Sequence, residues 1–113
     1  EITAYHDFTL DPAALVFHYG QAIFEGMKAY RGPDNQLLLF RPKDNLERMN
    51  KSALRLCMPR IPVDAVLKGL KALVYLDREW VPRNDGATLY LRPTMIATEP
   101  VLGLRSSEEY TFF

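Results

Sequence analysis

Two consecutive helical stripes with strand-like runs on both sides constrain this chain more than any other feature. Asp44 heads the first, with Glu47 three places on in a capping-box pattern, and Leu46, Met49, Ala53, Leu56 and Cys57 recur at helical spacing until Met58-Pro59 closes it. Cys57 reads there as a small core residue. The second helix runs from Asp64 to Leu76, with Val66, Leu67, Leu70, Leu73 and Val74 as its buried stripe. Strand candidates surround the pair: Ile2 to His6, Ile23 to Arg31, Gln36 to Arg41, Ala87 to Ala97 and Glu109 to Phe113. Gly32-Pro33-Asp34-Asn35 is strong turn chemistry and joins two of them as a hairpin, after which Pro42 stops the strand. Asp11-Pro12 supplies a helix start before Ala13 to Phe17, and Gly20 ends that turn. Arg83 to Gly86 and Thr98 to Ser107 read as loops. The grouping predicts an α+β fold of two layers, a mostly antiparallel sheet covered on one face by two main helices.

Composition narrows the function classes. The 113 residues make one domain, and 14 basic against 14 acidic side chains leave no net charge. Broad attraction to nucleic acid or an anionic membrane is therefore not expected, and any anion must be held locally. No apolar run approaches the roughly 18 residues of a membrane span, and no export signal is visible. The single cysteine allows no internal disulfide, which fits a reducing compartment. The chain opens at Glu1 and closes inside a strand-like run, so it reads as cut from something longer.

Three places carry candidate chemistry. In Thr88-Leu89-Tyr90-Leu91-Arg92-Pro93, residues 90 and 92 emerge from one face of an apolar strand, a phenol beside a five-donor fork suited to a carboxylate or phosphate. A merely wet edge strand is the plainer reading of the tripeptide. Arg48 falls in the first turn of the helix headed by Asp44, where free N–H groups and the helix dipole favour an anion. Phe17, Tyr19 and Phe24 suggest an aromatic-lined cleft, although cores use the same residues. His6 and His18 lack metal-ligand spacing and read as structural, and Gly26 inside a strand marks a bulge or a close backbone approach.

Taken together, four separated blocks resemble one family. They are Phe17 to Tyr30 (FHYGQAIFEGMKAY), Leu39-Phe40-Arg41-Pro42 with Asn45 to Met49, Leu89 to Pro93, and Glu99 to Gly103. In that order they are similar to the small N-terminal domain of branched-chain amino acid aminotransferases, fold-type IV enzymes that use pyridoxal 5'-phosphate. The resemblance covers nearly the whole chain from Leu10 onward, and the chain is shorter than the family between Asp7 and Phe8. It implies that Arg48 contacts the cofactor phosphate and that Tyr19 and Phe24 line the pocket for the side chains of leucine, isoleucine and valine. Tyr90 and Arg92 would stand across that pocket, Arg92 taking the distal carboxylate of glutamate or 2-oxoglutarate. Leu104 would reach the partner subunit's pocket, which implies a homodimer. Arg48 and Arg92 are thus expected at opposite ends of a shared apolar hollow.

The chemistry also needs a lysine that forms a Schiff base with the cofactor. Lys28, Lys43, Lys51, Lys68 and Lys71 do not sit in the family's lysine context, and Lys28 reads as structural. The expectation is a fragment that shapes the pocket, inactive without a larger C-terminal domain. The whole would be a cytoplasmic enzyme of branched-chain amino acid biosynthesis acting on these amino acids and their 2-oxo acids. Rival readings are a D-amino acid aminotransferase, an aminodeoxychorismate lyase, or a non-catalytic binding domain of the same fold; the LYLRP block tells against the first two.

Overall fold

The computed structural model describes residues 1–113. It contains α1 (Leu15–Tyr19), β1 (Ala22–Phe24), β2 (Met27–Arg31), β3 (Leu37–Leu39), α2 (Pro42–Arg55), α3 (Val63–Leu76), a 3-10 turn (Arg78–Trp80), β4 (Leu89–Leu91), β5 (Thr94–Ala97) and β6 (Tyr110–Phe112). All strand pairings are antiparallel, as expected for this α+β chain. The strands form two three-stranded sheets, β1-β5-β6 and β3-β2-β4, rather than a single one.

The division has a chemical cause. The runs 23–31 and 87–97 each read as one strand, yet each breaks, at Glu25-Gly26 and at Arg92-Pro93. Ile23 pairs with Met95 and Met27 with Leu91, so the register is the same on both sides and Glu25 faces Pro93 across the gap. The Glu25 N–H donates to the Pro93 carbonyl at 3.0 Å. Proline has no N–H with which to return the bond. One long ladder is therefore bent into two sheets at a seam.

Both helices pack beside that seam. Leu46, Met49 and Ala53 of α2 are buried with Ile23, Met27 and Met95, and Val66, Leu67 and Leu70 of α3 pack against them. Farther along α3, Val74 joins Ala29 and Val81 in a second, smaller core. Leu91 packs against both cores. Buried Asn50 closes the link between the helices, donating to the Ile61 carbonyl at 3.1 Å and accepting from the Ile61 N–H at 2.8 Å. The hairpin turn forms at Gly32–Asn35, with the Asn35 N–H on the Gly32 carbonyl and Asn35 itself at φ 60°.

Several local expectations need correction. Residues 2–6 form no strand, because nothing pairs with that segment. Asp11 accepts from the Ala13 N–H at 2.7 Å and makes a turn, after which α1 begins at Leu15. The second helix starts at Pro42, not after Asp44: proline ends the strand and occupies the first helical position together. Arg41 precedes it in the left-handed region and bonds Asp44, at 2.5 Å from Nε to Oδ2. Cys57 is not a core residue. The helix ends at Arg55, and Cys57 adopts φ 54° while the Met58 N–H returns to the Ala53 carbonyl and the Cys57 N–H to that of Leu54. That Schellman closure sends Met58 into the core and leaves Cys57 exposed.

The molecule measures 53 × 28 × 23 Å, with a radius of gyration of 16.0 Å. A compact chain of this length would have about 13 Å. No helix is long and apolar enough to cross a membrane. Leu46 has no exposed surface, so Leu46→Ala is expected to destabilise the fold by about 2–5 kcal/mol through lost burial and a residual cavity. Asn50→Ala would strand the Ile61 amide and carbonyl, at about 1–3 kcal/mol for each group left unpaired. Urea unfolding of the two variants measures both.

Candidate functional site

Polar groups gather where the ladder breaks. Glu25, only 7 % exposed, turns from the seam toward α2. Arg48 meets it with two parallel bonds, Nε to Oε1 and Nη2 to Oε2, both 2.6 Å. Paired N–H to carboxylate bonds of this kind are among the stronger ones in proteins. They hold the Glu25 carboxyl below the usual carboxylate range, against the opposing effect of burial, and they hold the Arg48 proton more tightly in return. The Gly26 N–H also donates to Glu25 Oε2, at 3.2 Å. Asn45 Nδ2 donates to the Gly26 carbonyl at 3.0 Å, tying α2 to the seam a second time.

Gly26 leaves room for the Tyr90 side chain to lie over it. A Cβ there would lie 2.6 Å from the Tyr90 hydroxyl. The close approach expected of this glycine is thus made by the phenol of the neighbouring strand. Tyr90 sits opposite Lys28 in the β2–β4 ladder. Arg92 lies with its guanidinium carbon 4.5 Å from the Phe24 ring centroid and 5.2 Å from that of Tyr90, and its Nη2 is 3.4 Å from the Tyr90 hydroxyl. Phe24, Tyr90 and Arg92 therefore form one stacked group.

On the other side of Tyr90 opens a cavity of about 510 Å³. Its walls come from Gly26, from Lys28 and Tyr30 of β2, from Phe40, and from Arg41, Asp44, Asn45 and Arg48 around the start of α2. Arg48 and Tyr90 both line it. Arg92 and Phe24 do not, and are joined to it through Tyr90. Tyr19, the last residue of α1, is half exposed outside the cavity, and Leu104 is 90 % exposed in the loop after β5. That loop is braced by Glu99, which pairs with Arg105 and accepts from the Glu108 N–H at 2.8 Å.

The helix start does not hold Arg48, contrary to expectation. Because α2 begins at Pro42, Arg48 lies in the second turn, beyond the free N–H groups of the first. Its position is set by Glu25 instead. No motif in the sequence marks Glu25 or Asn45 as site residues, and Lys28, expected to be structural, stands on the cavity wall. A signal for Glu25 existed: a carboxylate inside an apolar strand run needs a partner.

The Glu25 contribution to stability has a definite sign with pH. A carboxyl whose folded pKa is depressed stabilises the fold fully above its unfolded value, about 4.3, and loses that contribution as pH falls through the lower folded value. Thermal unfolding of Glu25→Gln from pH 7 to pH 2 is expected to show a shallower acid-side loss than the parent protein.

No protein-family profile matches the chain. Among curated proteins it is 52 % identical over 109 residues to branched-chain-amino-acid aminotransferase 2 of Bacillus subtilis, covering 96 % of this chain and 30 % of that protein. The fold matches the crystal structure of the Escherichia coli branched-chain amino acid aminotransferase with a TM-score of 0.75 at 19 % identity, over 99 % of this chain and 34 % of that one. The branched-chain amino acid aminotransferase from Thermobaculum terrenum, crystallised in its PLP-form, matches with a TM-score of 0.66 at 20 % identity, over 92 % of this chain and 32 % of that one. The chain thus spans about 30 % of the length of the curated relatives it matches, and over that span it is 52 % identical to two branched-chain amino acid aminotransferases of Bacillus subtilis.

Proposed function

We propose that this chain is the small pocket-shaping domain of an enzyme that moves the amino group of leucine, isoleucine or valine to 2-oxoglutarate with pyridoxal 5'-phosphate as cofactor. The observation that carries the reading is the pairing of two different cationic places on either side of Tyr90. Arg48 lies on a cavity wall and Arg92 on an aromatic stack. The relatives' names and the cofactor-bound form of a solved neighbour agree with it.

The residues present suit a phosphate monoester. The cavity carries Lys28, Arg41 and Arg48, and its one carboxylate, Asp44, is already paired with Arg41. Arg48 uses two of its five N–H donors on Glu25 and keeps three for an anion. When bound, the cofactor supplies an electron sink and holds the amino group between the two half-reactions. The chain's own part is to bind and orient. Phe24 and Tyr19 offer apolar surface to a branched side chain, worth about 25 cal/mol per Å² buried. Arg92, with the Tyr90 hydroxyl beside it, gives the distal carboxylate of glutamate or 2-oxoglutarate a charged partner, so the same pocket need not bury an unpaired charge.

Other components of the enzyme lie outside these 113 residues. A larger C-terminal domain of the same protein carries the lysine that bonds the cofactor, and Leu104 reaches toward the pocket of a second subunit in a homodimer. The setting is cytoplasmic branched-chain amino acid biosynthesis. Exposed Phe17, Tyr19, Phe24, Leu102 and Leu104 supply apolar surface for those contacts.

Arg92→Ala in the full-length protein is expected to lower kcat/KM for 2-oxoglutarate by about 10- to 100-fold, the worth of hydrogen bonds to a charged group. The value for leucine should change far less, and steady-state kinetics with each substrate varied separates the two. Residues 1–113 alone are expected to give no turnover of leucine with 2-oxoglutarate in a coupled glutamate assay.

A further inference from the structure

Resting on that reading, we infer that Glu25 is a positioning residue for the cofactor phosphate, acting through Arg48. Glu25 is nearly buried while the Arg48 side chain is 62 % exposed, so the carboxylate is the fixed partner and the arginine the one that needs fixing. A free arginine on a helix surface samples many rotamers. Two parallel bonds of 2.6 Å select one of them and fix the plane of the guanidinium. The remaining N–H groups then face the cavity side in a set direction before any anion arrives, which removes an ordering cost from binding.

Glu25 is itself held from both ends. Its backbone N–H bonds the Pro93 carbonyl across the seam, and the carbonyl of Gly26, the next residue, accepts from Asn45 of α2. Arg92, neighbour of Pro93, belongs to the other cationic place. A single residue thus references the Arg48 fork to the strand that carries Tyr90 and Arg92.

The test uses full-length protein stripped of cofactor, with binding of pyridoxal 5'-phosphate and of pyridoxal measured by titration for the parent, Glu25→Gln and Arg48→Ala. Glutamine keeps the shape but removes the charge, and its NH₂ would face the guanidinium donors. Glu25→Gln is expected to weaken pyridoxal 5'-phosphate binding about ten-fold, with pyridoxal affinity within about two-fold, because only the phosphate depends on the oriented fork. If Arg48→Ala shows the selective loss and Glu25→Gln does not, the positioning role is overturned while the proposed function stands. Equal weakening of both ligands by Glu25→Gln marks a general structural role and also overturns it. If Arg48→Ala itself leaves phosphate selectivity untouched, the proposed phosphate contact fails, and this inference with it. Should Glu25→Gln not fold, Glu25→Asp carries the same test, since it keeps the charge but is one methylene too short to meet both prongs, and the same selective loss is expected.

Discussion

A proline that cannot return a hydrogen bond sets where the ladder of this domain bends, and the candidate site lies at that bend. Opposite Glu25, Pro93 breaks an otherwise continuous ladder whose register is preserved on both sides. A broken ladder would leave a polar gap. Here the gap is filled by the Glu25 carboxylate, the Gly26 amide and carbonyl, and the two α2 side chains that reach them, Arg48 and Asn45. The candidate site is thus the place where regular pairing fails and side chains take over the hydrogen bonding.

Most of the architecture was legible because it rests on periodicity. The helix from 63 to 76, the hairpin turn at 32–35, the Gly20 terminator at φ 63° and the antiparallel pairing all follow from apolar spacing and turn chemistry. What was hidden depends on contacts between distant residues. The strand breaks at 25–26 and 92–93 cannot be read from either run alone, since each is apolar enough to continue. Pro42 ends a strand and also begins a helix, and that earlier start places Arg48 beyond the first turn. Cys57 followed the helical spacing, yet a left-handed residue closes the helix before it can face inward.

The site residues show the same division. Tyr90 and Arg92 share a face as the alternation of a strand requires, and Arg92 does lie against Phe24. The single hollow expected between Arg48 and Arg92 is instead a cavity beside a stack, joined by the phenol of Tyr90. Tyr19 and Leu104 stand apart and exposed, on elements whose placement no local pattern specifies. The ion pair of Glu25 with Arg48 was out of reach because its partners are 23 positions apart, on a strand and a helix.

Leu91 lies between the two outward-facing residues of the tripeptide and packs into both hydrophobic cores at once. It acts as a rivet beside the bend, since one side chain takes part in the packing of both clusters. The spacing of the phenol and the guanidinium is therefore inherited from the interior, not negotiated at the surface. Side chains at positions 90 and 92 can therefore be exchanged without disturbing the packing beneath them.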